Sequence, residues 1–225
     1  MKTYPPEDFF HGTQLSLAQA IYDGNLDVVV SLSRNTDLNK PGNQDMTLLF
    51  YALQAASDEK AQQLKIMSVL VKQGADPLQR VPDMGSVAGV AARSTSPEYI
   101  KALLDGGMSP KVIVRDSPLI FGAAADNSLA TLALLVERGA DVNERDSVGR
   151  TVLFEALAGF QLNTVNWLLD HGGDPTVKTN NGDSFSSVLT FLYSKEGRSQ
   201  GDDHKLDEIA KKAVSKGMKW APQKY

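Results

Sequence analysis

Arg138-Gly139-Ala140-Asp141-Val142-Asn143 decides the fold, because the chain says it more than once. Gln73-Gly74-Ala75-Asp76-Pro77 comes first, Gly106-Gly107-Met108-Ser109-Pro110 next, and His171-Gly172-Gly173-Asp174-Pro175 last. The aligned glycines stand at 74, 107, 139 and 172, steps of 33, 32 and 33 residues. A fixed period of this size marks stacked modules, each too small to bury its own apolar face.

Each phrase ends an amphipathic run. Met67, Leu70 and Val71 precede the first, and Ile100, Leu103 and Leu104 the second. Leu132, Leu135 and Val136 precede the third, and Val165, Leu168 and Leu169 the fourth. Spacing of i, i+3, i+4 puts each trio on one helical face. The glycine supplies the left-handed residue that stops the helix. The recurring Asp76, Asp141 and Asp174 suit a turn, since a short carboxylate bonds nearby backbone. Their recurrence argues against catalysis, which needs a unique residue.

A second phrase opens each unit. Thr47-Leu48-Leu49-Phe50-Tyr51-Ala52-Leu53 is the first clear copy, and Ser86-Val87-Ala88-Gly89-Val90-Ala91-Ala92 a looser one. Ser117-Pro118-Leu119-Ile120-Phe121-Gly122-Ala123-Ala124 and Thr151-Val152-Leu153-Phe154-Glu155-Ala156-Leu157 follow, then Ser184-Phe185-Ser186-Ser187-Val188-Leu189. A hydroxyl residue opens all five, as an N-cap should.

Together the two phrases resemble the ankyrin repeat. Its Thr-Pro-Leu-His-x-Ala opening matches Thr47 to Ala52 and Thr151 to Ala156, with Phe in place of His, and its Gly-Ala-Asp-Val-Asn ending matches Gly139 to Asn143 at every residue. The resemblance implies an all-α ankyrin-repeat solenoid of about six helix-turn-helix repeats with short projecting β-turn loops. A leader at 1–12 precedes one repeat domain at 13–225, with repeats near 14–39, 45–78, 84–112, 115–143, 148–177 and 182–220. Extra residues at Ser57 to Gln62 lengthen the second unit, and a polar insertion, Ser194 to Asp203, reads as a mobile loop splitting the sixth. At helix spacings of about 8–10 Å such a stack is roughly 50–60 Å long. The leader aromatics, Tyr4, Phe9 and Phe10, are expected to cover the first helix pair, and the lysines from Lys205 to Lys219 to form a solvated cap.

Composition narrows the function. An apolar share of 42% and a charged share of 22% fit an ordinary folded protein. The net charge of -4 offers no basic face for nucleic acid. With no cysteine there is neither a disulfide nor a thiolate metal site. No run reaches the roughly 18 apolar residues of a membrane helix. Met1-Lys2-Thr3-Tyr4-Pro5-Pro6 has no apolar signal core, which leaves a cytoplasmic protein or the mature form of an exported one. His11, His171 and His204 lack metal spacing, and no phosphate loop or nucleophile elbow occurs. The expectation is a binding protein with no catalytic residue, cofactor or metal, monomeric when free.

The expected grip is the concave side, lined by turns and first helices. Turn candidates are Gln44, Asp45, Met84, Arg115, Asp116, Ser147, Val148, Arg150, Asn180, Asn181 and Asp183. First-helix candidates are Tyr51, Arg93, Asp126, Asn127, Glu155 and Phe160, with Phe50 held back because Phe50, Phe121 and Phe154 recur at one position and read as core. Tyr51, Arg93, Arg115, Arg150 and Phe160 are the residue types that dominate interfaces. The leader, the Leu38-to-Gly42 turn and Met46-Thr47-Leu48-Leu49-Phe50 are similar to short exported bacterial ankyrin proteins, some encoded beside antibacterial phospholipase effectors of the type VI secretion system. That resemblance implies a periplasmic immunity protein that blocks a toxic enzyme. The alternative is a cytoplasmic adaptor with no toxin partner.

Overall fold

The computed structural model describes residues 4–220, so Met1 to Thr3 of the expected leader and residues 221–225 lie outside the described residues. Helices come in pairs. They are α1 (Gly12–Tyr22) with α2 (Leu26–Ser33), α3 (Leu48–Ala55) with α4 (Ala61–Lys72), and α5 (Val87–Ala92) with α6 (Glu98–Asp105). A 3-10 segment, Leu119–Ala123, pairs with α7 (Leu129–Glu137), α8 (Val152–Ala158) with α9 (Leu162–Asp170), and α10 (Phe185–Tyr193) with α11 (Gln200–Ser215). The first members form one layer: α1 packs on α3, α3 on α5, α5 on the 3-10 segment, that segment on α8, and α8 on α10. The second members form the other, with α2 on α4, α4 on α6, α6 on α7, and α9 on α11. Leu49, Met67, Leu70, Ile100, Leu103, Leu132, Leu135, Leu153, Leu168 and Leu169 are buried between the layers.

Helix ends follow the repeated phrases. Gly74, Gly107, Gly139 and Gly172 take φ of +103°, +105°, +102° and +93°. That lets the next amide fold back: Ala75 N–H donates to the Leu70 carbonyl at 2.9 Å and Ala140 N–H to that of Leu135 at 2.9 Å. The turn aspartates close locally, Asp76 accepting from Leu78 N–H, Asp141 from Asn143 N–H and Asp174 from Thr176 N–H, each at 2.8 Å. Ser109 stands in for the missing aspartate and accepts from Lys111 N–H at 3.2 Å.

The opening hydroxyls cap four helices. Thr47, Ser86, Thr151 and Ser184 accept from the backbone N–H of Phe50, Gly89, Phe154 and Ser187 at 3.1, 3.2, 3.4 and 3.2 Å. Ser117 does not cap. It pairs in a hairpin, β3 (Ile113–Val114) with β4 (Ser117–Pro118), and the residues after it wind as a 3-10 turn. A similar hairpin joins β1 (Arg80–Val81) to β2 (Gly85–Ser86).

Side chains tie neighbours together. Asn39 donates to the Gly74 carbonyl at 2.9 Å and accepts from Asp76 N–H at 2.8 Å. Asn143 repeats the clamp on Gly172 and Asp174, both at 2.9 Å. Arg138 reaches Asp105 at 2.8 Å, where Lys101 also binds at 2.9 Å. The Lys101 ammonium foremost, then the Arg138 guanidinium, hold the Asp105 carboxyl below the usual carboxylate range. A lowered native value contributes stability above the ordinary carboxylate range, lost as pH falls through it, and exposure keeps the amount small.

Two segments differ from expectation. The Ser194-to-Asp203 insertion is not wholly loop, because its last four residues open α11. Ser199 caps that helix by accepting from Asp202 N–H at 3.1 Å, and Arg198 holds Asp203 at 2.7 Å. Arg198 also donates to the carbonyls of Leu192 and Lys195. In the second unit only Ser57 to Lys60 are extra, since Gln62 already lies in α4.

The stack tolerates little added volume. A Cβ on Gly106, at the end of α6, would stand 2.7 Å from both the Ser68 carbonyl oxygen and Val71 Cβ of α4. Gly106→Ala is expected to cost about 1–3 kcal/mol by overpacking, read as a lower urea midpoint at unchanged slope. An unchanged midpoint would show that the two helices separate freely.

Candidate partner-binding face

A turn projects before each inner helix, and its tip carries the exposed residues. Gln44, Asp45, Arg115, Asp116, Ser147, Val148, Asn181 and Asp183 are all exposed there, and Met84 is half-buried. Several tips adopt backbone that L side chains avoid. Gln44 and Asp45 sit at φ 58° and 55°, Asp83 at 59°, and Arg115 and Asp116 at 51° and 64°. The β3–β4 hairpin leaves only Arg115 and Asp116 as its loop. A two-residue loop of that hand is cheapest as Asn-Gly. Non-glycine residues there cost about 1–3 kcal/mol each, and such strain gathers at functional sites.

The last two turns brace each other. Asn180 N–H donates to the Val148 carbonyl at 3.0 Å and its side-chain amide to that of Ser147 at 3.2 Å. Arg145 donates to the carbonyls of Gly149 at 3.0 Å and Lys178 at 2.7 Å. Asn180 is therefore spent within the fold.

Four further candidates are spent as well. Tyr51 is fully buried: Phe10 meets its ring edge-on at 5.5 Å, and its hydroxyl donates to the Tyr4 carbonyl at 2.8 Å. Burial pushes its phenol well up from the ordinary value. The leader reaches past the first helix pair to cover it, with Asn43 N–H donating to the Phe9 carbonyl at 2.7 Å. Arg150 binds the buried carboxylate of Asp146 at 2.8 Å and also Glu155 at 3.0 Å. Asp126 caps α9, accepting from Thr164 N–H at 2.8 Å and from the Asn163 amide at 2.9 Å. Asp126, Asn127 and Phe160 occupy the turns between inner and outer helices, at the far end from the fingers. Phe50 is buried, whereas Phe121 and Phe154 are only half-buried, so that recurring position is not uniformly core.

The structure adds features no phrase advertises. Arg80, in β1, is exposed beside the third finger. A cleft of about 330 Å³ opens between Leu53, Ser57, Asp58, Val90, Ala91, Ser94 and Tyr99. Ser57 and Asp58, from the extra residues of the second unit, stand on its rim. Their break in the repeat period was the one available signal. A cleft of about 590 Å³ near the far end is lined by Tyr193, Asp207, Ala210, Lys211, Val214, Ser215 and Trp220, and the Tyr193 hydroxyl is bonded to Asp207 at 2.6 Å. His171 stacks on Trp167 at 3.7 Å, at the end of α9. Lys205, Lys211, Lys216 and Lys219 are exposed, and Lys212 pairs with Asp170 at 2.7 Å. Among the described residues, no helix is long and apolar enough to cross a membrane.

Comparison with known proteins agrees with this geometry. The family described as ankyrin repeats matches residues 88–179 in three copies. The ankyrin repeat domain of Bcl-3 superimposes with a TM-score of 0.68 over 91% of this chain and 86% of its own, at 24% identity. The chain is an ankyrin-repeat solenoid. An ankyrin repeat domain from Acinetobacter baumannii AYE gives a TM-score of 0.64 at 22% identity, over 90% of this chain and 98% of its own. The curated human protein Ankyrin repeat and SOCS box protein 6 is 32% identical over 115 residues, 47% of this chain and 27% of its own. The chain thus spans about a quarter of the length of that curated relative. The structural matches extend the ankyrin fold across both flanks of the three family-matched copies.

Because Tyr51 is a packing residue in this solenoid, Tyr51→Ala is expected to cost about 3–5 kcal/mol of stability. Chemical denaturation checks it, and a small loss would mean that the leader does not seal the first inner helices. Arg150→Ala leaves the buried Asp146 carboxylate without its guanidinium and is expected to cost about 1–2 kcal/mol by the same measurement.

Proposed function

We propose that the concave, finger-bearing face captures another protein, and that this partner is a toxic enzyme of phospholipase type which the chain blocks as an immunity protein in the periplasm. The observation that carries the binding half is the set of strained, exposed fingertips. Gln44, Asp45, Arg115 and Asp116 hold unfavourable backbone although Gly85, Gly149 and Gly182 serve other fingers at φ +84°, +83° and +88°. Asp58, Glu59 and Phe160 take similar φ at the opposite end, so it is strain together with exposure at the tips that supports the reading. Ankyrin repeats serve generally as protein–protein interaction modules, which supports the same half. The toxin half rests on the likeness of the leader and first turn to exported bacterial ankyrin proteins. A stiff stack suits inhibition, because a preorganised surface avoids ordering costs on binding.

Two measurements test the two halves. Co-expression with a periplasm-directed antibacterial phospholipase of the type VI class is expected to restore growth that the phospholipase alone abolishes. Binding without rescue would favour the adaptor reading, and neither binding nor rescue would remove the toxin. Val148→Asp, at an exposed tip, is expected to weaken the complex by about 1–3 kcal/mol in a calorimetric titration. Unchanged affinity would move the contact off the fingers.

A further inference from the structure

Arginines divide sharply in this molecule. Arg138, Arg150 and Arg198 are paired with carboxylates, and Arg145 with backbone carbonyls. Arg80, Arg93 and Arg115 are not. Among the described residues no carboxylate comes within 4.0 Å of any of the three. Yet they converge on the middle of the concave face. Arg80 and Arg115 line one crevice of about 60 Å³ with Leu78, Ser86, Ile113 and Val114. Arg93 ends α5, but its side chain runs back along the helix. A Cβ on Gly89 would stand 3.7 Å from Arg93 Nη1, and one on Gly85 would stand 3.5 Å from Arg115 Nη2. The two guanidiniums thus flank a floor of Gly85, Ser86 and Gly89, with Val114 between them. Asp83 and Asp116 share these hairpins, but neither is paired with a guanidinium there.

We infer that this glycine-floored bay reads carboxylates, and that the partner segment seated on the third and fourth fingers is an acidic stretch of polypeptide. The inference rests on the concave-face reading above and adds the chemistry of what that face takes. Guanidinium forks bind carboxylates in bidentate pairs, the strongest polar contacts available at a surface. The two-residue Arg115–Asp116 loop sets the backbone from which one fork projects. The chain as a whole carries a charge of -4, so generic anion attraction is weak and local pairing selects the ligand.

The test uses a labelled hexaglutamate peptide, followed by fluorescence anisotropy at low salt. The wild-type chain is expected to bind it, and Arg93→Gln with Arg115→Gln to weaken it by at least about tenfold. Arg34→Gln, at the end of α2 in the outer layer, is expected to leave it unchanged. Equal weakening by Arg34→Gln, or equally tight binding of an oligothymidylate, would reduce the bay to nonspecific charge and overturn the inference. Circular dichroism and melting confirm that the variants fold. Titration of the intact partner separates this inference from the reading it rests on. Loss with Val148→Asp but not with the arginine pair removes the carboxylate chemistry alone. Loss with neither removes the concave face itself.

Discussion

Burial between neighbouring helix pairs is what the rest of this molecule depends on. A single pair shows water an apolar flank on each side, and only the next pair covers it. The contacts run pair to pair in both layers, and no residue need reach across the stack. Close approach is therefore at a premium, which is why Gly106 sits where Val71 leaves no room and Gly122 where Ala92 leaves none. The end units solve the same problem differently. At the start, Phe9 and Phe10 fold over the first helices and lie against Tyr51. At the finish, the long α11 turns its lysines outward.

Given that frame, helix ends are chosen by local chemistry and the seams by a handful of polar clamps. The glycine–aspartate phrase does two jobs at once. Its glycine reverses the chain and its aspartate ties the turn, so the backbone reaches the next finger already shaped. Asn39 and Asn143 then use that turn as a socket for the neighbouring unit.

The period, the helix trios and the caps were legible because each depends on near neighbours in sequence. The misreadings involve partners that the repeat phrases do not specify, some far along the chain and some only a few residues away. Tyr51 looked like a hot spot because nothing in its own repeat covers it; its cover lies 41 to 47 residues away, at Phe10 and Tyr4. Arg150 and Asp126 looked free because their bonds run to Asp146, Asn163 and Thr164, in places the repeat phrase does not specify. Ser117 carries the cap's residue type, but the two-residue hairpin claims it first. Arg80 carries no signal in the sequence, because a strand-forming turn residue has no phrase to break. Burial and pairing, not residue type, separate gripping side chains from structural ones.

The seams also differ in what holds them. The first and second pairs are locked by Asn39, the fourth and fifth by Asn143 and Asp126, and the fifth and sixth by Arg145 and Lys212. Between the second and third pairs the Tyr99 hydroxyl donates to the Ala56 carbonyl at 3.3 Å and Ala88 N–H to the Pro77 carbonyl at 3.0 Å. That seam is held mainly by close packing of α6 on α4, tightest where Gly106 meets Ser68 and Val71. The cleft beside Leu53 and Val90 straddles it. The stack is thus bolted by side-chain hydrogen bonds toward both ends and zipped by interlocking surfaces at the joint that carries this cleft.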